Sequence, residues 1–270
     1  MKLQNNFSTL RVLVLGDVIG RCGRQAVLKS IAKLKEQYEV DLLVVNAENA
    51  THGNGLNYKH YQSLIQAGCD VLTMGNHVFG NKEIFHYAKN AKKLIIPANL
   101  ETIDACFENN LLFETTIKGK KVRVVNLLGR DNMKLKASSP FWYFKDLYEK
   151  DSESIYIVDY HAELTAEKNS FGYYLDGKAS LMYGTHTHVQ TADERIMPLG
   201  MAYITDAGMC GIRESMIGFD YQQVLQFIWD GKKAYGVAEK GKKMINGLFV
   251  EIDLETKKAI AIQRINQDVE

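Results

Sequence analysis

The chain has 270 residues, of which 46% are hydrophobic, with 33 Lys and Arg against 32 Asp and Glu. A formal net charge of +1 provides no long-range field for nucleic acid or an anionic membrane, so neither is expected as a stable partner. The four cysteines are far apart, which predicts reduced thiols rather than a disulfide framework. The start of the chain is too polar for a secretory signal and no apolar run reaches the length of a membrane span, so we expect a soluble, cytoplasmic protein.

The first hundred residues alternate short apolar runs with amphipathic stretches. Strands are predicted at residues 11–17, 41–49, 70–77 and 93–100. Helical spacing of apolar residues predicts a helix after each of the first two strands, in one case at Val27, Ile31, Leu34 and Tyr38 and in the other at Tyr58, Tyr61, Leu64 and Ile65. Uniformly apolar strands separated by helices predict a parallel arrangement covered on both faces.

Beyond Asn110 the pattern changes to hairpins and further buried strands. Hairpins are predicted at residues 111–129, 195–208 and 246–265, and buried strands at 154–163 and 179–188. No internal repeat, low-complexity tract or proline-rich linker divides the sequence. We therefore predict one α/β domain over residues 1–270, with strands from both halves in one or two packed sheets.

Five of the predicted strands end in residue types that bind metals. In chain order these ends are Gly16-Asp17, Asn46-Ala47-Glu48-Asn49, Gly75-Asn76-His77, Asp159-Tyr160-His161 and Gly184-Thr185-His186-Thr187-His188. Ligands of open α/β sheets bind beyond the carboxyl ends of the strands, so these ends can meet in one crevice. If the last segment stays extended, alternate side chains share a face and both of its imidazoles point into one space.

Each of these ends also has a purely structural interpretation. Asp17 can cap a helix or a turn, Glu48-Asn49 can lie on a loop surface, and a lone His161 in an apolar strand can be a hydrogen-bonded core residue. The pair His186 and His188 is harder to explain in this way, because two imidazoles in one pocket need partners or a cation. Since every structural explanation would have to hold at once, we favour a metal site.

The donor set contains carboxylates, amide oxygens and imidazoles but no thiolate. Mixed nitrogen and oxygen donors suit manganese, iron or zinc, and asparagine oxygens favour the harder ions with higher coordination numbers. One bridging carboxylate and several flanking donors are enough for two metals, roughly 3.5 to 4 Å apart, that clamp a phosphoryl group.

The order GDVIG, NAEN, MGNH, DYHAE and GTHTH, from Val12 to His188, resembles the calcineurin-like metallophosphoesterases. The residues at the variable positions of these motifs are most similar to those of the bacterial YmdB-like phosphodiesterases. The similarity continues into MPLGMAYITDAGMCG. This resemblance implies a four-layer αββα sandwich, in which helices flank two packed mixed β-sheets. Two positions depart from the superfamily pattern: Ile19 replaces the histidine of the usual D-x-H motif, and Glu48 replaces the usual bridging aspartate.

The resemblance also implies where two divalent or trivalent transition-metal ions, iron or manganese before zinc, are bound. One ion would be held by Asp17, Glu48, Asn49 and His188, and the other by Glu48, Asn76, His161 and His186. Glu48 would bridge the two ions. His77 is left over as the catalytic residue, donating to the phosphate or protonating the leaving oxygen. Most superfamily members place an acid after this histidine, but Val78 follows here, so either a distant carboxylate orients His77 or His77 is a weaker acid.

The family resemblance further implies direct, in-line attack of a metal-bridging hydroxide on a small phosphodiester, with cyclic nucleotides as the expected substrates. The loop His52-Gly53-Asn54-Gly55 and the ring of Phe79 are candidates for the pocket wall. Three alternatives stay open: a broad-specificity phosphomonoesterase, a metal-bound regulatory protein with incidental hydrolysis, and a domain whose polar strand ends are structural only. The hairpins after Arg195 offer edges for self-association into a homo-oligomer.

Overall fold

The computed structural model describes residues 9–231 and 236–269. Its first half contains β1 (Thr9–Leu15), β2 (Asp17–Val18), α1 (Gly20–Gln37), β3 (Leu42–Asn46), α2 (Tyr58–Gln66), β4 (Val71–Thr73), α3 (Ile84–Tyr87), β5 (Phe113–Ile117) and β6 (Lys120–Leu128). Its second half contains α4 (Pro140–Lys150), β7 (Ile155–His161), α5 (Thr165–Leu175), β8 (Leu181–Thr185), β9 (Arg195–Ile196), β10 (Ala202–Ile204), β11 (Met209–Ile212), α6 (Tyr221–Asp230), β12 (Lys243–Asp253) and β13 (Ala259–Val269).

The strands form two mixed sheets. The first has the order β2-β11-β12-β1-β3-β4, with β13 also paired to β12, and the second has the order β5-β6-β7-β8-β10-β9. Within the first sheet β1, β3 and β4 are parallel. Within the second sheet β6, β7, β8 and β10 are parallel. The carboxyl ends of these parallel strands therefore meet at one edge of each sheet.

Side-chain alternation along the strands separates two apolar layers. Val12 and Val14 of β1 lie in the cluster between the sheets, together with Tyr183 of β8. Leu13 points to the opposite face, where it packs with Val27 of α1. A third cluster buries α4 and α5 against the outer face of the second sheet. The layers are thus helix, sheet, sheet and helix, which confirms the sandwich implied by the motifs.

Helix boundaries follow local capping chemistry. The Asn57 side chain accepts from the backbone N–H of His60 at the start of α2, and Asp220 caps α6 in the same way. At the other end of α6, Gly231 has a φ of +64°, the left-handed conformation that glycine adopts without strain. Helices α1 and α2 are the two that the sequence periodicity predicts.

All three predicted hairpins are confirmed. Strands β5 and β6, β9 and β10, and β12 and β13 each pair in antiparallel fashion. The turn between β5 and β6 consists of Lys118 and Gly119, with φ of +49° and +80°. Two consecutive positive φ values match the right-handed twist of a tight hairpin.

The strand predicted at residues 93–100 is wrong. Leu94 makes only an isolated bridge with Leu72, and the chain then leaves the first sheet. The backbone N–H of Ala98 donates to the carbonyl of Asn126 in β6 of the second sheet, at 2.9 Å. Pro97 has no N–H to donate, so it interrupts any ladder at this point. The segment therefore connects the two sheets instead of extending the first.

The described part of the chain, residues 9–231 and 236–269, holds no helix with the length and apolar character needed to cross a bilayer. The four cysteines are free thiols, and three of them, Cys22, Cys69 and Cys210, are buried.

Candidate metal centre

The polar segments that follow β3 and β4 lie in loops at the end of the sandwich. These strands end at Asn46 and Thr73, several residues earlier than predicted. The loops are tied together by hydrogen bonds: the backbone N–H of Glu48 donates to Asn46 Oδ1 at 3.1 Å, and that of His77 donates to Glu48 Oε2 at 3.0 Å. Glu48 is thereby fixed at the centre of the site, with no exposed surface.

The two histidines around Thr187 do not lie on a strand. Strand β8 ends at Thr185, and His186 and His188 have φ of +102° and +67°. The extended geometry considered from the sequence therefore does not occur. The coil instead turns the two rings toward different partners, with His186 Nδ1 lying 3.1 Å from His161 Nε2 and His188 Nε2 lying 3.8 Å from Asp17 Oδ1.

A buried ion pair anchors this coil. The N–H and the hydroxyl of Thr187 both donate to Asp206 Oδ2, at 3.1 and 2.8 Å. The ammonium of Lys168 donates to the same oxygen at 2.7 Å, and the Gly208 N–H donates to Oδ1 at 2.8 Å. Lys168 and Asp206 are both fully buried. Positive φ at residues other than glycine persists only where the surroundings impose it, and this network supplies that constraint.

The donor atoms form two groups that share Glu48. One consists of Glu48, His161 and His186 and the other of Asp17, Glu48 and His188, and within each group the donor atoms lie within 4.8 Å of one another. The Oδ1 atom of Asn76 lies 2.9 Å from His161 Nε2, in the first group. All seven residues that the sequence nominated as metal ligands therefore lie together: Asp17, Glu48, Asn49, Asn76, His161, His186 and His188.

Asn49 lies between the second group and His77. Its Nδ2 donates to Glu48 Oε1 at 2.9 Å and lies 3.1 Å from His188 Nε2, while its Oδ1 accepts from His77 Nδ1 at 2.7 Å. A role as a metal ligand through Oδ1 thus requires the amide to turn by about 180°, exchanging the positions of oxygen and nitrogen.

Gly75 allows the donors to approach this closely. A Cβ atom at this position would lie 2.4 Å from Glu48 Oε2 and 2.4 Å from His161 Nε2. Any side chain here would displace two candidate ligands at once.

Hydrogen bonds on the far side of His161 fix its tautomer. Thr185 Oγ1 lies 2.9 Å from His161 Nδ1 and donates its own proton to Asp159 Oδ1 at 2.7 Å. The hydroxyl can therefore only accept from Nδ1–H, which leaves the lone pair of Nε2 facing Glu48. Asp159 is itself fully buried, and burial raises the pKa of its carboxyl to about 7, although hydrogen bonds from Thr73 and Thr185 oppose the shift.

In the two histidines of the coil, as in His161, one ring nitrogen donates to a protein oxygen and the other is left unprotonated. His188 Nδ1 donates to the carbonyl of Ile217 at 2.8 Å, which frees Nε2. His186 Nε2 lies 2.9 Å from Glu163 Oε2, which frees Nδ1. Metal-binding histidines usually donate their other N–H to a carbonyl or a carboxylate in this way. Each of the three imidazoles thus presents an unprotonated nitrogen to the centre.

The electrostatics of the centre fit a cation. Asp17 is fully buried, and its Oδ1 finds no hydrogen-bond donor among residues 9–231 and 236–269. Burial, together with the neighbouring charge of Glu48, raises the pKa of Asp17. Burial also lowers the pKa of His161 well below its ordinary value, so that its ring is neutral, as a metal ligand must be. A metal ion among these groups would satisfy the orphaned oxygen and remove the repulsion between the carboxylates.

His77 lies at the border of the centre with its side chain 37% exposed. Its Nδ1 is 3.3 Å from Glu48 Oε1, in addition to the hydrogen bond to Asn49. Burial by itself lowers the pKa of His77, but the hydrogen bond to Glu48 and its charge outweigh that effect and raise the pKa. The next residue, Val78, is buried in the core beneath the helices.

A cavity of about 250 Å³ opens in front of the donors. Its polar wall includes Glu48, Asn49, His77, Glu163, His186 and His188, and its apolar wall is formed by Ile19, Ile217 and Phe219. Ile19, which replaces the histidine of the D-x-H motif, therefore contributes an apolar surface. Gly53 of the nominated loop also lines the cavity. Phe79 does not, because its ring packs against Phe85 and Phe107.

Sequence reasoning missed the residues that support the ligands. Asp206 and Lys168 are 38 positions apart, and Glu163 is 23 positions from His186, so no local spacing links them. One supporting residue, Asp159, could have been found from the sequence. It stands two residues before His161 in β7, so the two side chains share a face of the strand.

A family model described as a YmdB-like protein matches residues 13–265. The chain belongs to the YmdB-like family. The resemblance inferred from the motifs is thereby confirmed. This YmdB-like chain is 40% identical over 258 residues to a 2′,3′-cyclic-nucleotide 2′-phosphodiesterase of Bacillus subtilis strain 168, covering 95% of the chain and 96% of the relative.

Two crystal structures share the fold along nearly the whole chain. A phosphatase from Mycoplasma pneumoniae matches with a TM-score of 0.91 and 39% identity, covering 97% of this chain and 94% of that one. A hypothetical protein from Thermus thermophilus matches with a TM-score of 0.86 and 31% identity, covering 97% and 100%.

We predict that Glu163→Ala weakens metal binding without unfolding the protein. Loss of the acceptor for His186 Nε2–H allows the ring to take the wrong tautomer, and loss of such a partner typically costs about 10- to 100-fold in metal affinity. Titration of the metal-free protein with Mn²⁺, followed by calorimetry, measures the change. Glu153→Ala removes an equivalent charge from a side chain that is 92% exposed and serves as the matched control. Equal affinities in the two variants would contradict a role for Glu163.

Proposed function

We propose that the protein is a metal-dependent phosphodiesterase that hydrolyses cyclic nucleotides at a centre of two transition-metal ions. Its relatives include a phosphodiesterase and a phosphatase, and the chain is, like them, a hydrolase of phosphoesters. The observation that carries the proposal is the pair of donor groups that share the buried Glu48. A single carboxylate that belongs to both groups is the feature expected of a bridging ligand.

The proposed ligand sets are those implied by the motifs. Asp17, Glu48, Asn49 and His188 would hold one ion, and Glu48, Asn76, His161 and His186 the other. Oxygen and imidazole donors without a thiolate favour iron or manganese, with zinc as a further option. When bound, the two cations would neutralise charge on the phosphoryl oxygens and lower the pKa of an attacking water.

His77 is proposed to protonate the leaving oxygen. It lines the cavity, and its Nδ1 lies 3.3 Å from Glu48 Oε1. The hydrogen bond to Glu48 and its charge raise the pKa of His77 above its ordinary value, and a protonated imidazole at this position can give its proton to an alkoxide. The carboxylate that orients the His77 ring is then Glu48, in the loop after β3. It takes the place of the acid that most superfamily members carry at the position of Val78.

The lining of the cavity supports a nucleotide as substrate. Apolar Ile19, Ile217 and Phe219 line the cavity together with the polar candidate ligands. A ribose and a base can pack on these apolar side chains while the phosphate faces the metal ligands. The Bacillus subtilis relative is named for 2′,3′-cyclic nucleotides, and we propose the same substrate class for this chain.

A substrate panel tests the proposal. We expect the metal-loaded protein to hydrolyse 2′,3′-cyclic and 3′,5′-cyclic AMP with a kcat/KM at least about tenfold above that for p-nitrophenyl phosphate. Chelation should abolish the activity and added Mn²⁺ should restore it. A preference for the monoester would favour a phosphatase, and the absence of turnover on all three would favour a regulatory protein.

Replacement of His77 separates catalysis from metal binding. We expect His77→Ala to lower kcat by about 10²- to 10⁴-fold, since general acid catalysis contributes that much, while the bound metal content stays the same. His86→Ala, at an exposed position of α3, is the matched control and should retain full activity. Loss of metal from His77→Ala would show instead that this residue is a ligand.

The cellular setting is also proposed. Four unpaired thiols support a reducing, cytoplasmic location. Self-association through the hairpins after Arg195 stays a prediction.

A further inference from the structure

Helix α6 carries an apolar stripe that faces away from the protein, formed by Tyr221, Leu225, Ile228 and Trp229. These residues follow the spacing i, i+4, i+7 and i+8, which places them on one side of the helix. Their exposed fractions are 46%, 52%, 69% and 90%. A stripe with this spacing ordinarily faces the core of a domain, but the buried residue of α6 is Val224, on the neighbouring side of the helix. The described part of the chain therefore leaves the stripe uncovered.

The stripe is large enough to support a specific interface. Aromatic side chains have about 150–250 Å² of surface and aliphatic ones somewhat less, so the exposed parts of the four amount to roughly 500 Å². Two copies that cover each other's stripe would remove about 1,000 Å² from water, before any polar rim is counted, which is the size that a specific interface must reach. Burial of this apolar surface would drive the association.

The stripe carries no charge. Residues 221–229 read YQQVLQFIW, with three glutamines and no Lys, Arg, Asp or Glu before Asp230. Helices that lie on a membrane surface combine an apolar face with Lys and Arg on the polar face, and α6 has neither within its length. A charged partner protein would find no opposite charge on the stripe. A second copy of α6 is an uncharged partner, and the net charge of +1 opposes the approach of two copies only weakly.

The stripe is also complementary to itself. Leu225 lies midway between Tyr221 and Trp229, which are about 12 Å apart along the helix axis. In an antiparallel pair of helices with a two-fold axis at Leu225, the ring of Tyr221 faces the ring of Trp229 from the other copy, once at each end. This arrangement places the positive end of each helix dipole beside the negative end of the other.

The edges of the hairpins are less suited to self-association. Strand β9 has only two residues, and two backbone groups of β13 already form hydrogen bonds outside their hairpin. The N–H of Ala259 donates to the carbonyl of Gly200 at 2.8 Å, and the carbonyl of Ile265 accepts from the side chain of Gln190 at 3.0 Å. These bonds compete with pairing between strand edges, which favours α6 as the interface.

We propose that α6 is a self-association surface, on which a second copy of this chain docks through its own α6 as an antiparallel, two-fold symmetric pair. The second copy is the occupant that fits the exposed apolar area, the absence of charge and the symmetry of the stripe about Leu225. None of the four stripe residues lines the cavity of the metal centre. The interface is therefore separate from the proposed active site and does not rest on the proposed function.

The molar mass of the full-length, metal-loaded protein tests this interface, by light scattering during size-exclusion chromatography and by sedimentation velocity over a dilution series. At about 10 μM the wild-type protein should have twice the mass of the chain, with a dissociation constant of about 1 μM or below. Ile228→Glu and Trp229→Glu should each raise the dissociation constant at least about thirtyfold, because each places a charge inside the interface. Both positions are exposed in the single chain, so circular dichroism should show an unchanged fold.

Trp142→Glu and Ile260→Glu are the matched controls. Trp142 in α4 is 66% exposed and Ile260 in β13 is 51% exposed, so each variant places the same charge at an exposed apolar position outside α6. Both should keep the wild-type mass.

Three results would overturn the inference: a wild-type protein with the mass of one chain, a dimer that survives both α6 variants, or an equal loss in either control. A single chain that co-sediments with phosphatidylglycerol vesicles would also overturn it, in favour of a membrane as the occupant. None of these results bears on the proposed function, which the substrate panel tests separately.

Discussion

Two carboxylates, Asp17 and Glu48, are buried together at the end of the sandwich, and their mutual repulsion is the constraint on which the site depends. Burying a charge is costly unless a partner compensates for it. The surrounding imidazoles do so only in part, because burial keeps the ring of His161 neutral and because no residue in the described part of the chain donates to Asp17 Oδ1. Bound cations would resolve this imbalance, and the arrangement is consequently the one expected of a metal site rather than of a packed core.

The donors are held by polar networks outside the centre and not by strand geometry. Asp206 and Lys168 impose the coil that carries His186 and His188, while Thr185 fixes the orientation of His161. Each network joins residues that are distant in the sequence: Lys168 of α5 and Asp206 after β10 in the first, and His161 of β7 and Thr185 of β8 in the second. The parallel strands therefore contribute by bringing their carboxyl ends to one edge, and the buried hydrogen bonds then set the final orientation of each ring.

The sequence predicts which segments form the site better than it predicts the backbone conformation of those segments. Polar residues after apolar runs identified every donor segment, because a strand that enters a crevice must change from apolar to polar at its end. The segment around Thr187 is not extended as considered from the sequence, since its hydrogen bond to Asp206 overrides the continuation of the preceding strand. The predicted strand at 93–100 failed for a local reason, the missing N–H of Pro97. Helices α3, α4, α5 and α6 were not predicted. Ser139 and Pro140 mark the start of α4, but aromatic residues on several of its faces obscure its periodicity.

The most direct test of the central claim is a crystal structure of the metal-loaded protein with anomalous diffraction data collected at the absorption edge of the bound metal. The account predicts two anomalous peaks, roughly 3.5 to 4 Å apart, with the Glu48 carboxylate between them. His188 should contact one peak through Nε2, and His186 should contact the other through Nδ1. A single peak, or two peaks that do not share Glu48, would contradict the account.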